Sequence, residues 1–153
     1  MEETLNILII DDDEVDRLAV SRALKAASVR MKWSEANDYS EAIGILESNE
    51  FDCIFVDYLL PGKDGLAVVK EIRASGSKVP LIVLTGQGDE QTAVDLMKAG
   101  ASDYITKSRI TSDLLSATLR NVIRIYEAES QIELFNKQLR RSNELLKKKN
   151  KEL

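Results

Sequence analysis

The chain has 153 residues, 31% of them charged, a formal net charge of −5, and no histidine. That length suits about one domain with a proper core. The absent histidine excludes a histidine kinase or phosphohistidine carrier, removes the commonest zinc ligand and general base, and leaves oxygen donors for any metal, which favours Mg²⁺ or Ca²⁺. No apolar run approaches a membrane span, and the acidic start MEETLN lacks the basic-then-apolar order of a signal peptide. The single cysteine, Cys53, excludes an intrachain disulfide and reads as a core residue. Together these features place the expected compartment in the cytoplasm.

Apolar runs and amphipathic stretches alternate along the chain. Residues 5–10 (LNILII) read as a strand, and 14–27 carry Val15, Leu18, Ala19 and Ala23 at helical spacing. A second strand is expected over 31–36 and a helix over 39–48, with Ser40 as its N-cap and no capping box, since Ile43 stands three residues on. Residues 51–56 read as a buried strand, and 65–74 as a helix with Leu66, Val69 and Ile72 in phase. The next strand is expected over 79–84, with Pro80 tolerable only near its start. A helix over 90–99 closes at Gly100, a short strand follows over 103–106, and a last helix begins at Thr111 with no Gly or Pro after it. Five such units predict an α/β fold, a parallel sheet with helices on both faces and right-handed crossovers. In such sheets ligands bind beyond the carboxyl ends of the strands, where the strand order reverses.

Those strand ends carry the chemistry. The first ends in Asp11-Asp12-Asp13, the third in Asp57, the fourth in Thr85-Gly86, and the fifth runs through Tyr104 to Lys107. Singly, each has a plain explanation as a cap, turn former or solvated charge. Jointly they call for a cation, because two carboxylates about 4 Å apart repel by roughly 4 kcal/mol at an effective dielectric near 20. Mg²⁺ held by one or two carboxylates, waters and a phosphate suits that set.

The acidic pair after the first strand, VDYLLPGKDG around Asp57, LTG at Thr85 and GASDYITK ending at Lys107 together resemble the receiver domain of two-component response regulators. The resemblance covers residues 5 to about 125. It implies a flavodoxin-like doubly wound sheet of order 2-1-3-4-5 and phosphorylation of Asp57 by a histidine kinase or phosphotransfer protein. It also implies Mg²⁺ on Asp11, Asp12, Asp57 and the Leu59 carbonyl. Lys107 and Thr85 would bind phosphoryl oxygens, and Tyr104 would be the aromatic residue that turns inward as Thr85 moves. Ser108 departs from the proline that many receivers carry after the lysine, so the following loop is expected to be looser or differently routed. Leu59 and Gln87 match positions that tune phosphate lifetime, and apolar Leu59 is expected to prolong it.

Two alternatives belong to other classes. Asp11-Asp12-Asp13-Glu14-Val15 also fits the signature of haloacid-dehalogenase-like phosphatases, with Asp11 as nucleophile and Asp13 as acid/base. The chain has no room for their cap domain, and Asp57 would then have no role. A receiver-like interaction module that never takes phosphate usually lacks a key side chain, and none is missing here. A flavin carrier would need amide donors or positive charge where this chain is acidic.

The tail differs in character. From Asn136 onward it holds seven basic and two acidic residues, a charge of +5, leaving −10 before it. An acidic body argues against nucleic-acid binding by the globular part. Ile125, Ile132, Leu139, Leu146 and Leu153 recur every seven residues; taken as d positions they place Val122, Glu129, Asn136, Asn143 and Asn150 at a. Leucine at d with asparagine at a suits a parallel two-stranded coiled coil. Residues 1–125 are therefore expected to form the receiver domain, and 126–153 a helical linker of a homodimer. The pattern reaches the last residue without a cap, so an output domain is expected beyond it.

Overall fold

The computed structural model describes residues 3–86 and 89–152, with side chains through Asn150. Gln87 and Leu153, singled out above, lie outside the described residues. The chain divides into two compact units, residues 1–123 and 124–153.

The first unit alternates β1 (Leu5–Ile10), α1 (Glu14–Ala26), β2 (Met31–Ala36), α2 (Tyr39–Ser48), β3 (Cys53–Asp57), α3 (Gly65–Ala74), β4 (Leu81–Thr85), α4 (Glu90–Ala99) and β5 (Asp103–Thr106). A 3₁₀ turn, Lys107–Arg109, leads to α5 (Ser112–Glu152), whose first turns belong to this unit. All pairings are parallel and the order is β2-β1-β3-β4-β5, as expected.

Side chains alternate across the sheet with period two, and this divides the core. Leu8, Ile10, Ile54, Val56, Leu81 and Val83 pack on one face against Ala42 of α2, Val68, Val69 and Ile72 of α3, and Leu96 of α4. Ile7, Ile9, Cys53, Phe55, Ile82 and Leu84 pack on the other, against Val20 and Leu24 of α1 and Leu115, Leu119 and Val122 of α5. Cys53 is a buried free thiol, and burial pushes its pKa up.

Several boundaries differ from the sequence-based expectation. β3 starts two residues later and runs on to Asp57; β4 runs from Leu81 to Thr85, not 79–84. Pro80 has no N–H to give a ladder and only accepts, its carbonyl taking the Ile54 N–H at 2.9 Å. The N-cap of α2 is Asp38, not Ser40, and its carboxylate accepts from Glu41 N. Glu41 in turn reaches the backbone N–H and side chain of Asn37, so the helix start is tied on both sides. Thr111 caps α5 instead of opening it, its hydroxyl accepting from Leu114 N at 3.1 Å. Gly100 does close α4, at φ 110°, in the left-handed region that favours glycine.

The second unit is helical throughout its described residues. Ile125, Ile132, Leu139 and Leu146 are all exposed there, as are Leu134, Phe135 and Leu145. Val122, expected at the first a position of a coil, is instead buried in the core of the first unit.

Candidate functional site

The topology brings the strand ends and the loops that follow them to one edge of the sheet. β1 and β3 are neighbours with Ile10 opposite Val56, so the next residue of each strand, Asp11 and Asp57, emerges at the same edge. Thr85 ends β4 and Lys107 opens the turn after β5. The carboxylates of Asp11, Asp12 and Asp57 each offer an oxygen within 4.8 Å of the others. Asp11 and Asp57 are buried, whereas Asp12 is exposed.

One cation reaches the cluster among the described ion pairs. Lys107 Nζ lies 3.1 Å from Asp57 Oδ1 and 3.5 Å from Asp11 Oδ2. Asp57 Oδ1 also accepts from Leu59 N at 3.3 Å, while Leu59 itself stands 70% exposed. Asp11 Oδ1 accepts from Asp13 N at 2.9 Å, but Asp11 Oδ2 and Thr85 Oγ1 are buried and make no hydrogen bond. Tyr104 is half-buried against the apolar cluster on the α3 and α4 side.

Charge in this pocket is poorly compensated. Burial raises the pKa of Asp11 to about 6, the charges of Asp57 and Asp16 adding to the effect while the Asp13 N–H and Lys107 oppose it. Burial works against the Lys107 ammonium, yet the carboxylates of Asp16, Asp11 and Asp57 outweigh it and raise the lysine above its ordinary value. Buried polar atoms without partners are rare because each costs on the order of 1–3 kcal/mol. Thr85 Oγ1 is such an atom, and Asp11 Oδ2 has only the 3.5 Å ion pair with Lys107. An all-oxygen donor set of three carboxylates, one of them lacking a hydrogen bond on Oδ2, fits Mg²⁺.

Three neighbours were not legible as site residues in the sequence. Asp16 of α1 places Oδ2 2.5 Å from Lys107 Nζ. Arg17 donates from Nη1 to the Asp11 carbonyl at 2.7 Å and to Asn37 Oδ1 at 2.9 Å, fastening the acidic loop to the end of β2. Gly65 lies so close to the Asp57 backbone that a Cβ would stand 2.8 Å from its carbonyl oxygen and 2.7 Å from Tyr58 Cα. Only Gly65 had a visible signal, a glycine opening a helix just after a Pro-Gly turn.

Fold and site together define a doubly wound α/β domain with an acidic pocket and a lysine at the carboxyl edge of its sheet. Residues 7–119 match the model of the response regulator receiver domain, and the chain belongs to that family, a phosphoacceptor class of two-component signalling rather than a catalytic enzyme. It is 32% identical to the response regulator RppA of Synechocystis over 114 residues, covering 73% of this chain and 48% of that protein. It is 31% identical to the response regulator MprA of Mycobacterium avium over 129 residues, 84% of this chain and 55% of that protein. The chain thus spans about half the length of these curated relatives. Among solved structures, a response regulator receiver domain protein from Clostridium thermocellum superposes with a TM-score of 0.70 at 27% identity, covering 81% of this chain and 98% of that one. The family match speaks for the receiver over the phosphatase alternative; Asp13, the acid/base of that alternative, serves here as the N-cap of α1, accepting from Val15 N at 2.9 Å.

Proposed function

We propose that Asp57 accepts a phosphoryl group from a histidine kinase or a phosphotransfer protein. The observation that carries this is the contact of Lys107 Nζ with the Asp57 carboxylate at 3.1 Å, on the rim of a three-carboxylate cluster. An oxygen of Asp57 forms the new bond to phosphorus. The P–N bond of the donor's phosphohistidine breaks, its electron pair remaining on the ring nitrogen. Asp11, Asp12, Asp57 and the Leu59 carbonyl would hold Mg²⁺, which when bound neutralises charge shared between the carboxylates and the phosphoryl oxygens. Lys107 keeps its protons and donates to one phosphoryl oxygen, stabilising charge as the loose transition state forms. The unpartnered Thr85 hydroxyl donates to another, and Tyr104 follows the movement of Thr85. Intact mass after incubation with acetyl phosphate and Mg²⁺ tests this: one phosphoryl adduct is expected, dependent on Mg²⁺ and absent from Asp57→Asn. An adduct that survives in Asp57→Asn overturns the assignment.

The reading extends to the tail. Residues 1–125 receive the signal in the cytoplasm, and 126–153 form a parallel two-stranded coil that joins two copies and carries the phosphorylation state to an output domain. The heptad of exposed Ile125, Ile132, Leu139 and Leu146 supports it.

A further inference from the structure

Lys107 faces three carboxylates, and its shortest contact is to the one outside the acidic cluster. Nζ stands 2.5 Å from Asp16 Oδ2, against 3.1 Å to Asp57 Oδ1 and 3.5 Å to Asp11 Oδ2. Asp16 lies in the first turn of α1, where an acid favours the helix dipole. That explains an acidic residue at this position. It does not explain a side chain turned onto a lysine 91 positions away in sequence. Both groups keep some solvent access, with 32% of the Asp16 side chain and 23% of the Lys107 side chain exposed. They border a cleft of about 220 Å³ lined also by Ala19, Leu84 and Ile110, which leaves the ammonium room to move.

We propose that Asp16 is a positioning residue that competes with the phosphoryl group for Lys107. It anchors the ammonium before phosphotransfer and yields it, wholly or in part, as a phosphoryl oxygen takes over. No proton moves and no covalent bond changes in this exchange; one ion pair replaces another. The inference rests on Asp57 being the phosphoacceptor. A contact made in the ground state and weakened in the transition state raises the barrier. Asp16 therefore slows formation of the aspartyl phosphate. Hydrolysis of that species starts with Lys107 already on the phosphoryl group, so Asp16 bears about equally on its ground and transition states and leaves the lifetime unchanged. The charge set of the site is divided in this way between rate of entry and rate of loss.

Asp16→Asn keeps the shape of the side chain and removes its charge, Asp16→Glu keeps the charge, and Glu14→Gln removes an equal charge from the same exposed turn without touching Lys107. With acetyl phosphate and Mg²⁺, intact mass should show the Asn variant forming adduct about five- to tenfold faster, a barrier lowered by the loss of one competing contact. Its decay should stay within about twofold of wild type, with Asp16→Glu near wild type and Glu14→Gln changed by less than about twofold. An unchanged or slower rate of formation in a folded Asp16→Asn overturns the proposal, as does an equal acceleration in Glu14→Gln or a parallel change in decay. A second readout does not need phosphotransfer. The ¹⁵N-detected ammonium signal of Lys107, held in slow exchange by its anchor, should weaken in Asp16→Asn and persist in Asp57→Asn. Its persistence in Asp16→Asn would show that Asp57 or Asp11 is the anchor and reject the competition. If the wild-type chain takes no phosphoryl group, the phosphoacceptor reading falls and the competition with it, whereas normal phosphorylation with an unmoved rate in Asp16→Asn removes only the competition.

Discussion

Asp11 is where burial and charge meet most sharply. Its side chain has no solvent exposure, and desolvation lifts its pKa from 3.8 to about 6. Between those values the folded chain holds a proton that the unfolded chain has released. Stability contributed by this group is therefore full below about pH 4 and is lost as pH rises through about 6, a change of about 3 kcal/mol for a shift of this size. A divalent cation must displace that proton. Mg²⁺ affinity is expected to fall close to tenfold per pH unit below about 6 and to level off above it, and Mg²⁺ should raise the melting temperature far more at pH 7 than at pH 5. Calorimetric titration and thermal unfolding across pH 4.5–7.5 give both curves; an affinity flat across pH 6 would contradict an Asp11 that both ligates the ion and has a raised pKa. At this scale the sequence was informative where residue type and strand-end position decide the matter, as for Asp57, Asp11 and Lys107. It was silent on Asp16 and Arg17, because a side chain that reaches a partner across the sheet edge is set by rotamer and packing, not by local pattern.

Elements are joined to one another by a few side chains, and Arg73 is the clearest case. From the last turn of α3 its Nε donates to the Gly100 carbonyl at 2.9 Å, and its Nη1 to the carbonyls of Ser77 at 3.1 Å and Val79 at 2.7 Å. One guanidinium thus ties the end of α3, the C-cap of α4 and the approach to β4, in the fork geometry that an ammonium cannot reproduce. Arg73→Ala should cost on the order of 3 kcal/mol, since charged donors contribute more than neutral ones and their carbonyls are left unpaired. Arg73→Lys should recover less than half of it. Urea unfolding measures the difference; a loss under about 0.5 kcal/mol would assign these contacts to the surface class that contributes little. The existence and chain order of the elements were legible from continuous apolar runs alternating with stretches of period 3.6, and the division of Ile7 through Ile10 between the two core clusters shows why those runs are unbroken: both faces of the sheet are covered. Strand ends were not. β3 extends through Asp57 because Tyr58 N donates to the Leu84 carbonyl of the neighbouring strand at 2.9 Å, a partner no local pattern names. The α2 cap was misplaced by two residues because Asp38 and Ser40 are both good caps in isolation, and the choice falls to the network of Asn37 and Glu41.

At the scale of the whole chain, charge divides inside the last helix: residues up to 135 carry −10 and the tail from Asn136 carries +5. Association through the tail would have to overcome repulsion between two such helices, and Asn136 and Asn143 at a positions would weaken a seam further while fixing its register. Burial of Val122 in the core of the first unit removes the first expected core layer of a coil, so a seam would start no earlier than Ile125. These terms predict a weak, concentration-dependent dimer that tightens with added salt, because screening acts on exposed like charges and leaves apolar contacts in place. Ile132→Lys combined with Leu139→Lys puts charge into two central layers and should yield a monomer that still forms the Asp57 adduct at the wild-type rate. Asn136→Val should tighten association by replacing a buried amide with an apolar side chain. Sedimentation velocity at low and high salt reads all three. A wild-type chain that stays monomeric at every concentration, or a dimer indifferent to the double lysine variant, would move the helix from a coil to a solvated spacer, and transmission of the phosphorylation state would then have to run through the surface of the receiver itself.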